Sequence, residues 1–168
     1  MAHFEDFTVV DADYLTRSHL NDAAIAALQA GEVEGVRTGS NALDGRLALI
    51  GLMADDNNLA AKTVRQLGET PERLRFGARA LMQTSVVSDE SQPMPETKLP
   101  VAEEVRQLCR LAVDEAARLG PITTIGPEHL LLAMVRDDEH SAGRLLKQAG
   151  LTLERTRRAL RVVLGWPA

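Results

Sequence analysis

The stretch IGPEHLLLAMVRDDEHSAGRLLKQAG, residues 125–150, holds two helices and the boundaries of both. Gly126 and Pro127 open the first, because proline at the first helical position presets a helical φ and lacks an N–H that would find no partner there. Leu131, Met134 and Val135 share one face, while Leu130 and Leu132 are apolar on other sides, the pattern of a central helix packed from several directions. Asp137 and Asp138 end it. A second helix follows, with Ala142, Leu145, Leu146 and Ala149 at i, i+3, i+4, i+7 spacing, and Gly150 supplies the left-handed residue that closes it.

An earlier segment repeats this pattern at a constant offset of 82 residues. Ala60, Thr63, Val64, Leu67 and Gly68 answer Ala142, Leu145, Leu146, Ala149 and Gly150. Asp55-Asp56 answers Asp137-Asp138, Leu49 answers Leu131, and Thr70, Glu72, Arg73 and Arg75 answer Thr152, Glu154, Arg155 and Arg157. In both copies a threonine is placed to accept from the first amides of the next helix, with a glutamate in the first turn where the helix dipole favours it. A shared pattern, stop and cap reads as two copies of one four-helix unit.

IGPEHLLLAM, followed by an acidic turn, an alanine-rich helix ending in glycine and TLERTRRAL, resembles the Clp repeat. That double repeat forms the N-terminal domain of ClpA- and ClpC-type protein-unfolding ATPases, whose signature reads close to IGTEHLLLGL. The resemblance covers about residues 20 to 164; its first copy, LDGRLALIGL, is degenerate and has Arg46 where the family has glutamate. It implies an all-α fold of two tandem four-helix repeats forming one pseudo-twofold eight-helix domain. The expected divisions are an N-terminal arm at 1–19, a first, degenerate repeat at 20–83, a linker at 84–99 and a second repeat at 100–165.

Length and composition agree with that fold class. The 168 residues can bury a sizeable core. Few aromatics and abundant alanine, leucine and arginine favour helices packed through aliphatic side chains. A formal charge of −5 gives no general attraction to nucleic acid or anionic membranes. One cysteine, Cys109, on an apolar helix face, excludes an intrachain disulfide and fits a structural thiol in a reducing compartment. No apolar run approaches the roughly 18 residues needed to span a bilayer, and MAHFEDFTVVDADY is acidic rather than signal-like, so a cytoplasmic location is expected.

Along the chain, Phe4, Phe7 and Tyr14 place most of the few aromatics in the arm, which is expected to pack on its own domain or on a partner. Asn21 should cap a first helix carrying Ile25, Leu28 and Val36, with Gly31 and Gly35 each weakening it by about 1 kcal/mol relative to alanine. In the second copy Val105, Leu108, Cys109, Ala112, Ala116 and Leu119 trace a continuous stripe, with Asp114 and Arg118 paired outside it. TSVVSDESQPMPETKLP, with three prolines, reads as an exposed linker. Trp166 is placed to pack back as a cap on the last helix.

Catalytic chemistry finds no constellation. The sequence has no GxxxxGK[ST], so the chain resembles a stand-alone recognition part of a Clp ATPase without its motor, and no cofactor is expected. Glu128-His129 lacks the HExxH pattern of a zinc site, His140 lies beyond the turn, and a first-turn glutamate is explained by the helix dipole; no metal is expected. Arg155, Arg157, Arg158 and Arg161 spread around the last helix as a solvated face, better suited to an acidic protein partner than to nucleic acid.

Surface recognition remains. The resemblance implies a non-enzymatic protein-binding module that recognises substrates or adaptors, or docks on a Clp chaperone–protease system as an accessory factor; the implied partners are a Clp ATPase, ClpP, an adaptor or a degradation substrate. The alternative is a protein that sequesters a small molecule or cyclic antibiotic peptide. In the ClpC branch the domain binds phosphorylated arginine through a helix-start threonine and the signature glutamate. Carried over, Glu128 matches in the second copy, with Ala102 at the threonine position; in the first copy Asn21 can still cap, while Arg46 replaces the glutamate and would repel a guanidinium. At most one weak phosphoarginine site, near Glu128, is expected.

Overall fold

The computed structural model describes residues 8–10, 17–83, 98–120 and 124–167. The elements run β1 (Thr8–Val10), β2 (Arg17–Leu20), α1 (Asp22–Thr38), α2 (Gly45–Leu52), α3 (Leu59–Gln66), α4 (Pro71–Gln83), α5 (Glu103–Leu119), β3 (Thr124–Ile125), α6 (Pro127–Arg136), α7 (Ser141–Gln148) and α8 (Leu153–Val163). The local signals act as expected. Asn21 Oδ1 accepts from Ala24 N–H at 2.9 Å, and Asn58 Oδ1 from Ala61 N–H at 2.8 Å. Thr70 and Thr152 accept from Arg73 and Arg155 N–H at 3.3 and 3.4 Å. Gly68 and Gly150 close α3 and α7 at φ of 86° and 82°, and the next N–H of each, Glu69 and Leu151, reaches back to the Val64 and Leu146 carbonyls.

The eight described helices form an all-α domain with internal twofold pseudosymmetry. α1 packs on α2 as α5 packs on α6; α3 packs on α8 as α7 packs on α4; and α2 and α6 meet near the axis. Exchanging α1–α4 with α5–α8 therefore maps these packed pairs onto one another. α6 is buried along its length from Pro127 to Val135, and α2 at Gly45 and from Leu47 to Leu52. Leu49 and Leu131 are both fully buried, as equivalent core positions require.

The glycines of α1 have a purpose that propensity alone does not reveal. A β-carbon on Gly31 would stand 2.9 Å from the Leu47 carbonyl carbon, and one on Gly35 2.5 Å from Leu99 Cδ1. On α2, a β-carbon at Gly51 would meet the Ala27 carbonyl oxygen and stand 2.7 Å from the Gly31 nitrogen. Gly31 and Gly51 let two backbones touch, and Gly35 makes room for the Leu99 and Leu47 side chains. The equivalent positions of the second repeat are Ala112, Ala116 and Ala133, all buried, so α5 and α6 pack through one more layer of methyl groups.

A small sheet, β1-β2-β3, was not expected from the helical periodicity. β1 pairs antiparallel with β2, Thr8 opposite His19, and β2 pairs parallel with β3, Leu20 opposite Ile125. Phe4, Phe7 and Tyr14 lie outside the described residues, as does the linker from 84 to 97. Leu99, read as the end of an exposed linker, is instead buried and donates its N–H to Glu32 Oε1 at 2.8 Å. Trp166 caps α8 only through its backbone, N–H to the Arg161 carbonyl at 2.9 Å, while its side chain stays exposed.

Candidate functional site

The sequence pairs four residues within their own copies, Asn21 with Arg46 and Ala102 with Glu128, and the backbone pairs them the other way. Parallel pairing of Leu20 with Ile125, extended by Asn21 N–H to the Ile125 carbonyl at 2.9 Å, sets the start of α1 beside the start of α6. Asn21 thus accompanies Glu128, not Arg46. Its counterpart is the parallel bridge of Leu43 with Val101, extended by Ala102 N–H to the Leu43 carbonyl at 3.0 Å, which sets α5 beside α2 and Ala102 beside Arg46. Each helix-start pair therefore draws one helix from each repeat. The swap was invisible in sequence because strand pairing between residues far apart in the chain is a tertiary event.

At the α1/α6 start, Asn21 Oδ1 is committed to the Ala24 amide, leaving its amide nitrogen as the group turned to other partners. Glu128 is buried, with no partner for Oε2, and desolvation raises its carboxyl above the ordinary range. His129 Nδ1 accepts the Gly126 N–H at 2.9 Å while His129 N–H returns to the Gly126 carbonyl at 3.1 Å. Nδ1 is therefore unprotonated, and burial holds the imidazole pKa at about 4. A neutral ring 3.6 Å from Glu128 Oε1 is not an ion pair. His129 is accordingly a helix-start clamp, a role its sequence neighbour Glu128 obscured.

At the α2/α5 start, Ala102 is the N-cap of α5 and has no side-chain bond to offer. Arg46 does not reach out: its Nε and Nη2 donate to Asp44 Oδ2 at 2.9 and 2.5 Å, and Nη1 to the Leu81 carbonyl at 3.2 Å. The carboxylate missing from position 46 is supplied from α5, where Glu104 lies against Gly45 with Oε1 unpartnered and its carboxyl raised by desolvation. Cys109 is fully buried, its thiol pushed up to about 12, which leaves it unreactive at neutral pH. Among the described residues no three His, Cys, Asp or Glu side chains gather as a metal site, and no helix is long and apolar enough to cross a membrane.

Two open clefts occupy equivalent positions between the end of each repeat's first helix and its last helix. One, of ≈ 640 Å³, lies between α5 and α8; the other, of ≈ 610 Å³, lies between α1 and α4. In the α1/α4 cleft each of the three lining arginines is paired with a carboxylate, Arg37 and Arg79 with Glu34 and Arg46 with Asp44. Glu34 receives Arg37 Nη2 at 2.8 Å and Arg79 Nε at 2.7 Å, and these bonds, Arg37 first, hold its carboxyl below the ordinary range. In the α5/α8 cleft the equivalent carboxylate, Glu115, is fully buried and takes different arginines: Arg157 through Nε and Nη2 at 2.7 to 2.9 Å, and Arg136 at 3.2 Å. Arg157 is thus a structural anchor rather than part of a freely solvated face. Its partner could not be read from α8 alone, since Glu115 lies on another helix.

The sequence model of the Clp repeat (R) N-terminal domain matches residues 19–149, and again 100–165. The chain belongs to the Clp repeat N-terminal domain family. Among curated proteins it is similar to the negative regulator of genetic competence ClpC/MecB of Bacillus subtilis, 28% identical over 86% of this chain, and to the chaperone protein ClpB of Oceanobacillus iheyensis, 26% identical over 86%. The chain spans 17% of the length of each. Its fold resembles the N-terminal domain of ClpD from Arabidopsis thaliana, with a TM-score of 0.62, 22% identity and coverage of 86% of this chain and 96% of that one. It also resembles the Hsp104 N-terminal domain from Candida albicans, with a TM-score of 0.68, 13% identity and coverage of 88% and 93%. The doubled Clp repeat thus explains why both helix starts and both clefts occur in pseudo-equivalent pairs.

Proposed function

We propose that this chain is a non-catalytic recognition module that binds protein substrates or adaptors, or docks on a Clp chaperone–protease system as an accessory factor. The carrying observation is that the Clp repeat model covers residues 19–149 and 100–165 of a chain whose relatives are named as Clp chaperones and ATP-binding subunits. Its most ligand-ready helix start is that of α1 and α6. There the α1 amides that Asn21 does not cap would take an anion, while the unpartnered Glu128 oxygen would take a guanidinium. At the α2/α5 start Glu104 also carries an unpartnered carboxylate oxygen, but Ala102 has no polar group for the anion and Arg46, occupied by Asp44, stands where it would oppose a guanidinium. Neither cleft favours a sequestering role for a small apolar ligand, because both are open and lined mostly by charged or polar side chains.

Calorimetry with phosphoarginine, on the native protein and on Glu128→Ala, tests this. One site is expected, weakened about ten- to a hundred-fold by Glu128→Ala, the equivalent of losing one charge-assisted hydrogen bond. Two equivalent tight sites, or binding indifferent to Glu128→Ala, would remove phosphoarginine from the reading. Affinity capture from native cytosol tests the wider claim, which fails if no Clp ATPase, ClpP, adaptor or substrate is retained.

A further inference from the structure

The α5/α8 cleft holds more arginine than its own carboxylates pair, even with Arg158 bonded to Glu154 at 3.0 Å. It is lined by Arg118, Arg157, Arg158 and Arg161 against only two carboxylates, Glu115 and Glu154. The α1/α4 cleft shows what a merely structural arrangement looks like: Glu34 absorbs both Arg37 and Arg79. Arg118 and Arg161 stand at the positions of those two arginines, but Glu115 has been taken by Arg157 and Arg136 instead. Arg118 keeps only a long, exposed pairing with Asp114 at 3.5 Å, and that carboxylate already accepts Arg136 Nη1 at 2.5 Å. Arg161 has no side-chain partner among the described residues, nor has Nη1 of Arg157, one helical turn before it.

Like charges at i and i+4 destabilise a helix, and here one of them is clamped in place. Three bonds to a fully buried carboxylate fix the plane of the Arg157 guanidinium, so its free edge is preorganised rather than floppy. A fixed guanidinium edge, an unpaired arginine one turn along and a third across the cleft form a trap for carboxylates. We propose that the α5/α8 cleft docks an acidic peptide segment of a protein partner, with its carboxylates taken by Arg157 Nη1, Arg161 and Arg118. A peptide fits better than a nucleic acid because none of the described lining residues is aromatic, so there is no platform on which bases could stack.

The test is fluorescence anisotropy with labelled hexaglutamate, hexaglutamine and an oligothymidylate at about 25 mM salt, where surface charge is weakly screened. Arg157 is left intact because removing it would strand Glu115; Arg161→Glu, the double variant Arg118→Glu/Arg161→Glu, and the exposed control Lys62→Glu are compared after their melting curves are shown to match the native protein. Hexaglutamate should bind, weaken about ten-fold with Arg161→Glu and further in the double variant, weaken with added salt, and ignore Lys62→Glu, while hexaglutamine should not bind. No hexaglutamate binding, binding indifferent to Arg161→Glu, or oligothymidylate binding as tightly with the same dependence would overturn the proposal. It rests on the protein-binding reading, and the two fail separately. Capture of a Clp component by the native protein, without hexaglutamate binding, sinks the cleft and leaves the reading; hexaglutamate binding lost on charge reversal, with no Clp component captured, keeps the cleft and sinks the reading.

Discussion

Replacing Gly51 by alanine is the most direct probe of how the first repeat is packed. A β-carbon there would collide with the Ala27 carbonyl oxygen and stand 2.7 Å from the Gly31 nitrogen and 3.0 Å from the Ala27 carbonyl carbon. Comfortable carbon contacts begin at about 3.5 Å, so α1 and α2 must move apart by on the order of 1 Å. The three nearest atoms are all backbone, and no rotamer change relieves them. Overpacking costs about 1 to 3 kcal/mol, and with nothing able to yield the upper end applies. Alanine returns about 1 kcal/mol of helix propensity. The net loss is about 2 kcal/mol, which for a chain of this size lowers the melting temperature by about 4 to 8 °C. Gly77→Ala is the control: its β-carbon meets only the Leu145 side chain, Cδ1 at 2.9 Å and Cδ2 at 3.2 Å, which can turn aside. Thermal melts followed by circular dichroism should show Gly51→Ala well below the native protein and Gly77→Ala at or above it. Because Ala133 occupies the position equivalent to Gly51, copying the second repeat into the first looks like a stabilising change; a Gly51→Ala protein melting at or above native would refute the packing argument.

Two further outcomes follow from burial. Leu49→Ala and Leu131→Ala each remove a fully buried side chain at pseudo-equivalent positions and should each cost about 2 to 5 kcal/mol by denaturant titration; an unchanged midpoint for either would contradict its place in the core. Glu128→Gln should stabilise the protein at neutral pH. The folded-state pKa of Glu128 is raised by desolvation, so its contribution to stability is fully present below the unfolded carboxyl pKa and is lost as pH rises through the folded one. The gap between variant and native melting temperatures should therefore be positive near pH 7 and close below about pH 4.5. His129, with its pKa lowered to about 4, loses stability on acidification in both proteins and cancels from the difference. A gap constant with pH, or negative at pH 7, would show that Glu128 is not held against its solvation.

What could be read from the sequence was whatever is decided within a few residues or by one helix face. The threonine caps at Thr70 and Thr152, the left-handed stops at Gly68 and Gly150 and the proline start of α6 each depend on local backbone chemistry, so their spacing revealed the duplication and the all-α class. Burial of Leu49 and Leu131 followed from periodicity. Tertiary structure alone decided which surfaces meet. It paired Asn21 with Glu128 and Ala102 with Arg46 through strands between residues far apart in sequence. It turned Gly31 and Gly51 from weak helix formers into points of backbone contact, and Gly35 into a seat for the Leu99 and Leu47 side chains. It also gave Glu34 to Arg37 and Arg79 but Glu115 to Arg136 and Arg157. An arginine carries no record in sequence of which carboxylate it will reach, because its long side chain can serve several helices. Only the packed arrangement of α5, α6 and α8 selects the partner, and with it the arginines left over for a ligand.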